Sequence, residues 1–218
     1  MIPVDHLAAF TITAFVLIVV PGPSVLFVIG RALVLGRRGA FATIVGNAFG
    51  EYVQVMAVAF GVGAIVERSI VVYTVIKLAG AAYLIFLGVQ AIRHRRVSTE
   101  ATRPVPDAAA TDRPAGLRRA LREGFVVGLG NPKSVVFFAA MLPQFIDASS
   151  GYVPVQMLAL GAVFLLIALV SDSAWAIVAS GARAWFARSP RRLSRLSGVG
   201  GVVMIGIGAR LALSGRPD

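Results

Sequence analysis

Four ionisable side chains interrupt long apolar stretches of this sequence, and their distances from the nearest ends of those stretches put three of them at nearly one depth. Glu51 lies ten residues from Phe41 and Asp172 eleven from Arg183. At the helical rise of 1.5 Å per residue, both carboxylates sit about 15 Å inside an apolar layer about 30 Å thick. Lys133 belongs to the same layer, whereas Lys77, nine residues from Arg68, is expected to reach back toward the outer surface. A charge near the centre of a bilayer costs at least about 2.5 to 3.5 kcal/mol, so such groups face the protein interior and take partners there. Carboxylates in that position can bind a substrate amine or carry a coupling proton, and Glu51 and Asp172 are the candidates for both. Lys133 can meet a substrate carboxylate. The plainer alternative is a buried ion pair, Glu51 with Lys133 or Asp172 with Lys77, that only fixes helix packing. Asn47, Glu51 and Gln54 fall at i, i+4 and i+7 and make one polar stripe on a helix otherwise apolar. Ser171, Asp172 and Ser173 form a second polar belt, with Trp175 one turn further on.

The elements that must hold these groups are two broken helices. Val20-Pro21-Gly22-Pro23-Ser24-Val25-Leu26-Phe27 and Gly130-Asn131-Pro132-Lys133-Ser134-Val135-Val136-Phe137 each place proline inside an apolar run. Proline removes a backbone hydrogen bond and clashes with the preceding turn. Inside lipid the freed backbone groups are tolerable only where they face protein or a polar cavity. Pro21 is ten residues from Arg31 and Pro132 ten from Arg122, so both breaks fall near the midplane, at about 15 Å. A half-helix that restarts after a break presents unpaired N–H groups and the positive end of its dipole to an anion. Pro21, Gly22, Pro23, Ser24, Asn131, Pro132 and Lys133 therefore join Asn47, Glu51 and Asp172 as the candidate substrate-binding set. Two broken helices in matching places are the sequence pointer to a transporter's site.

Composition sets the class. Hydrophobic residues make up 57% and charged ones 14% of 218 residues, with a mean hydropathy of +0.82, against about 25% charge in soluble domains. The reading is an all-α integral membrane protein of six transmembrane helices. The apolar runs are Leu7 to Gly30, Phe41 to Val66, Ile70 to Ile92, Gly124 to Ile146, Val153 to Gly181 and about Leu196 to Leu213. The first lacks a basic leader and is expected to stay uncleaved. Residues 1–92 form a first three-helix repeat, 93–123 a basic cytoplasmic linker whose last part begins the next helix, and 124–218 a second three-helix repeat. Helices 1 and 4 are the broken ones. Gly80, Gly88 and Ala91 match Gly198, Gly206 and Ala209 at a single offset of 118, and two halves of three spans each must be inverted relative to one another.

The net charge of +11 is assigned to topology rather than to nucleic acid, because the basic residues collect in loops. Arg31, Arg37 and Arg38, the eight arginines from Arg93 to Arg122, and Arg183 to Arg195 fall on one side, which is then cytoplasmic, with both termini outside. Gly46 with Gly50, and Gly124 with Gly128, are spaced for close helix contact and are assigned to the bundle interior, with a homodimer left open. With no cysteine and no paired histidines, a soft-metal site, a cofactor and hydrolytic machinery are all unsupported.

Over nearly its whole length the chain resembles the LysE/RhtB family of bacterial amino-acid exporters. The resemblance is carried by Pro21-Gly22-Pro23 and Asn131-Pro132-Lys133, by Gly46 to Glu51, and by Lys77-Leu78-Ala79-Gly80-Ala81-Ala82-Tyr83-Leu84 with Leu87-Gly88. Leu142-Pro143-Gln144-Phe145 and Asp172 with Trp175 complete it. Glu51 departs from the aspartate more usual there. The resemblance implies a bacterial inner-membrane exporter of an amino acid or close derivative, such as homoserine, threonine, lysine, a branched-chain amino acid or homoserine lactone, driven by the proton or membrane potential. The alternatives are an exporter of a metal or other inorganic ion on a related fold, and an intramembrane enzyme.

Overall fold

Proline and glycine set the helix boundaries of this chain. A computed structural model describes residues 2–62, 70–93, 114–181 and 190–213. Those residues form seven α-helices and no strand: α1 (Val4–Val19), α2 (Pro23–Ala57), α3 (Ile70–Arg93), α4 (Pro114–Leu129), α5 (Pro132–Val136), α6 (Val153–Gly181) and α7 (Pro190–Leu213). Four of the seven start on a proline, whose missing N–H would be unpaired at a first helical position anyway and whose φ is preset for the helix. A π turn over Val58–Val62 extends α2, and a π turn over Phe137–Met141 followed by a 3-10 turn over Leu142–Phe145 extends α5. The second break bends the α4–α5 pair by 41°.

α2 is not one straight rod. Gly36 leaves the helical region at φ +72° and ψ −170°, a left-handed φ that glycine adopts without steric cost. Ser24 and Asn47 would be about 34 Å apart along a straight helix, yet their side chains are hydrogen-bonded at 3.0 Å. The chain therefore doubles back at Gly36 into two arms, 23–35 and 37–57. Val28, Ile29 and Ala32 of the first arm share a core with Ala40 and Ile44 of the second and with Ala176 and Ala179 of α6. The loop expected between Gly30 and Phe41 is thus a single-residue turn, because one glycine suffices to reverse the helix.

Glycines also set how the helices cross. A methyl group at Gly46 would run into the Leu121 carbonyl, at Gly50 into the Phe125 carbonyl, at Gly124 into the Thr43 carbonyl and at Gly128 into the Asn47 carbonyl. Contacts that advance together along both chains mean that the second arm of α2 and α4 run parallel, backbone against backbone. α3 and α7 run antiparallel, since Gly88 abuts Gly201 while Gly208, seven residues later, abuts Ala81, seven residues earlier. The offset of 118 is not mirrored in this packing: Gly88 is pressed against Gly201, whereas nothing lies within 4 Å of a methyl placed at its match, Gly206.

Polarity is inverted relative to a soluble protein. Phe49, Val71, Leu166 and Val170 are 61–73% exposed, while Glu51, Lys133 and Asp172 are 3–5% exposed; apolar residues outside and charges inside suit a hydrocarbon surround. Among the described residues α6 alone is long and apolar enough to cross a membrane, or up to three crossings are if each bent pair counts as one. Lys77, expected to reach the outer surface, is buried. At one end of the bundle Arg31 pairs with Glu123 at 2.9 Å and Arg37 donates to Ser180 at 3.2 Å, which gathers the Gly36 turn, α4 and the end of α6. At the other end a ring cluster of Phe10, Phe137, Phe138, Phe145 and Phe164 joins α1 to α6. Beyond it Asp147 accepts from Ser149 and Ser150, whose hydroxyls hold its carboxyl down to about 2. Its ionised form thus supports that turn above about pH 4 and is lost only as the pH falls through about 2.

The last part of the linker, expected to turn helical at Leu117, does so three residues earlier. α4 begins at Pro114, so 114–123 are helical, supported by the Arg119–Glu123 pair at i and i+4. The rest of the linker, 94–113, and the arginines of 182–189 lie outside the described residues.

The glycine contacts are testable by paired substitutions. Gly128→Ala, which drives a methyl into the Asn47 carbonyl, is expected to cost about 1–3 kcal/mol, and Gly206→Ala, which meets open space, to be neutral or stabilising. Thermal unfolding of the detergent-purified protein separates them; equal midpoints would refute the parallel backbone contact.

Candidate functional site

The two helix breaks cap one another. A helix end leaves its last four carbonyls without intrahelical partners, and a membrane interior has no water to take them. α1 stops at Val19, Val20 and Gly22 are extended, and α2 restarts at Pro23. Lys133, from the second break, donates its Nζ to the Leu17 carbonyl at 2.9 Å and the Val20 carbonyl at 3.2 Å. Trp175 of α6 donates Nε1 to the Val19 carbonyl at 3.2 Å. The second break is served from α2, where Gln54 Nε2 donates to the Gly128 and Leu129 carbonyls, each at 2.8 Å.

The restart of α5 is an Asn-Pro N-cap. Asn131 is extended, its Oδ1 accepts from the Lys133 N–H at 3.2 Å, and Pro132 takes the first helical position. The same side chain donates Nδ2 to Glu51 Oε1 at 2.9 Å, with Asn47 and Ser134 also beside that carboxylate. Ser24 Oγ donates to Asn47 Oδ1, which ties the first restart to the polar stripe. Hydrogen bonds therefore tie the first break to Asn47 and the second to Glu51, one helical turn further along the same polar stripe, and Lys133 returns from the second break to the first.

Gly22 makes room for this exchange. Its φ of −96° and ψ of −170° are extended backbone open to any residue, so conformation does not demand glycine there. Space does: a methyl on Gly22 would lie 3.2 Å from Lys133 Nζ, 3.3 Å from Cδ and 3.4 Å from Cε. The glycine of one proline motif is the seat of the lysine of the other.

Every candidate from the sequence lies in or beside this cluster. Pro21, Gly22, Ser24, Asn47, Glu51, Asn131, Lys133 and Asp172 are buried, and Pro23 and Pro132 open the two restarted helices. The Glu51–Lys133 pair of the plainer alternative is not formed: Lys133 is spent on backbone carbonyls and Glu51 on Asn131, although Lys133 lies in the field of both Glu51 and Asp172. The lysine assigned to a substrate carboxylate thus already uses two of its three N–H donors within the protein. Asp172 is 3% exposed, and its Oδ1 accepts no hydrogen bond. The candidate set lacked Gln54 and Trp175; Gln54 was visible as the i+7 member of the polar stripe, whereas nothing in the sequence aims Trp175 at Val19. Beside Trp175 and Ser171, an apolar groove of about 640 Å³ lined also by Phe15, Val19, Leu166 and Val170 opens between α1 and α6. Among the described residues no three histidine, aspartate or glutamate side chains gather as a metal would need.

A family model described as LysE type translocator matches residues 15–215. An uncharacterized membrane protein of Vibrio cholerae is 34% identical over 94% of this chain and 95% of its own. A homoserine/homoserine lactone efflux protein of Salmonella typhi is 30% identical over 94% of both chains. A leucine efflux protein of Enterobacter is 27% identical over 93% of both. No solved structure matches.

The seat at Gly22 predicts a graded response to size. Gly22→Ala needs the lysine to yield by a few tenths of an ångström and is expected to fold with a midpoint close to the parent's. Gly22→Leu evicts the ammonium and orphans the Leu17 and Val20 carbonyls, at about 1–3 kcal/mol each. In the Gly22→Leu background, Lys133→Met then adds little further loss, and additive losses in thermal unfolding would show that the two residues do not share one site.

Proposed function

The chain belongs to the family of LysE type translocators, and from that membership together with its buried charges we propose that it is a secondary active exporter of an amino acid or close derivative. The relatives named for homoserine, homoserine lactone and leucine efflux support that substrate class. The observation that carries the mechanism is a charge count. Two buried carboxylates, Glu51 and Asp172, lie in the field of one ammonium, Lys133, without any of them pairing directly, and the other buried lysine, Lys77 on α3, is not among the charges that act on them. Ionised throughout, the cluster holds one net negative charge inside the bilayer, which is costly. A proton on one carboxylate removes that charge, and the ammonium of a bound amino acid would take the same carboxylate while its own carboxylate goes elsewhere, so proton and substrate compete for one acceptor, which is what antiport requires.

Asp172 is the better placed of the two to exchange a proton, since Glu51 is engaged by Asn131 while Asp172 keeps an oxygen without a partner. The remaining N–H of Lys133 and the restart of α2 at Ser24 are the groups offered to a substrate carboxylate. In this reading the α2 hairpin arms count as separate crossings, the six crossings form two inverted halves that rock about the breaks, and the chain lies in the bacterial cytoplasmic membrane. Arg31, Arg37, Arg119 and Arg122 then mark the cytoplasmic end and both termini lie outside.

Proteoliposomes test this with labelled homoserine, homoserine lactone, threonine, leucine and lysine. An imposed proton gradient is expected to drive one of these at least tenfold faster than in protein-free vesicles. Asp172→Asn, which removes the charge but breaks no hydrogen bond at Oδ1, is expected to leave the protein folded and to lose gradient-driven transport. A gradient response equal to the parent's would remove Asp172 from coupling, and a panel that does not move at all would remove the substrate class.

A further inference from the structure

The ammonium of Lys133 occupies a position that elsewhere in membrane proteins belongs to a free ion. Carbonyls at the C-terminal end of a half-helix beside an unwound segment are the groups that coordinate sodium in discontinuous-helix transporters. Here the Leu17 carbonyl, in the last turn of α1, and the Val20 carbonyl, in the unwound segment, converge on a single point, with donor distances of 2.9 and 3.2 Å. That end of α1 also carries the negative pole of its dipole. Glu51 and Asp172 add their field at the same place, and one oxygen of Asp172 is unengaged. The absent side chain at Gly22 leaves the space around Nζ, Cε and Cδ that the lysine fills. All the donors are oxygens, which suits a hard cation and not a soft metal.

We propose that the end of α1 is a monovalent-cation site that Lys133 fills from within, so that the natural chain needs no sodium and a chain lacking this side chain binds sodium there. The site itself follows from the carbonyl geometry; only the statement about sodium-independent transport rests on the export reading. Trp175 restricts the site to one ion by taking the intervening Val19 carbonyl. Shortening Lys133 leaves a buried, oxygen-lined hole, and polar holes of that kind fill with water or ions where apolar ones stay dry. A monovalent ion there restores the charge that the ammonium supplied.

Thermal unfolding of detergent-purified protein in NaCl, KCl and choline chloride at equal ionic strength provides the test. The parent is expected to melt at one temperature in all three salts. Lys133→Ala is expected to melt lower in choline and to regain about 5 °C, saturably, in NaCl. Lys133→Met, whose uncharged stem still fills the hole, is expected to show no such gain. A folded Lys133→Ala that melts alike in all three salts overturns the proposal, as does a parent already stabilised by sodium. Flux provides the second measurement and does not require the variant to fold. Efflux by the parent with all sodium replaced by choline is expected to be unchanged, and loss of that flux overturns the proposal. A parent that moves no substrate in either salt counts against the export reading and leaves the melting result to decide on the site.

Discussion

A helix interrupted in the middle of a bilayer exposes carbonyls that water cannot reach, and the rest of this molecule is arranged around satisfying them. Each orphaned buried acceptor would cost about 1–3 kcal/mol. The two interruptions answer this differently. The end of α4 is closed by the neutral amide of Gln54, which forks onto two carbonyls. The end of α1 is closed by a full positive charge, and that choice draws in the rest: an ammonium in lipid demands negative charge nearby, and Glu51 and Asp172 supply more than it needs. The imbalance originates in how one backbone end is capped.

Much of this was legible in the sequence because depth in a membrane can be counted along a helix. Arithmetic from Arg31, Arg122, Phe41 and Arg183 places Pro21, Pro132, Glu51 and Asp172 in one layer, and the structure gathers the same residues at the two breaks. Partnership was not legible. Charge suggests Glu51 with Lys133, but the lysine goes to carbonyls that no side-chain pattern announces, and the glutamate goes to Asn131. Gly36 was hidden for another reason: a glycine between apolar residues and two arginines reads as part of a loop, and only its positive φ shows that it turns a helix within one residue. The start of α4 was legible to within three residues, Leu117 against Pro114, because Pro114 opens the helix instead of excluding it.

The sequence motif around Pro21 and the one around Pro132 look alike as local signals, each a helix breaker in an apolar run. In three dimensions they are complementary rather than equivalent. One contributes a gap at Gly22 and a set of acceptors, and the other contributes the long donor that enters the gap. Substitutions at either motif therefore act on the same contact, although 113 residues separate Val20 from Lys133.

The glycine contacts between helices carry a consequence for movement. Where the backbone of one helix rests directly on the carbonyls of another, as along the second arm of α2 and α4 and again along α3 and α7, there is no layer of side chains to rearrange. Sliding would force main-chain atoms through one another, so each of these pairs travels as one solid piece. α1 has no such seam: it meets its neighbours through aromatic rings and through donors from Lys133 and Trp175, contacts that can be broken and remade singly. The end of α1 is thus joined to the rest of the molecule at the lysine seated beside Gly22, through single contacts where the other helices share a backbone seam.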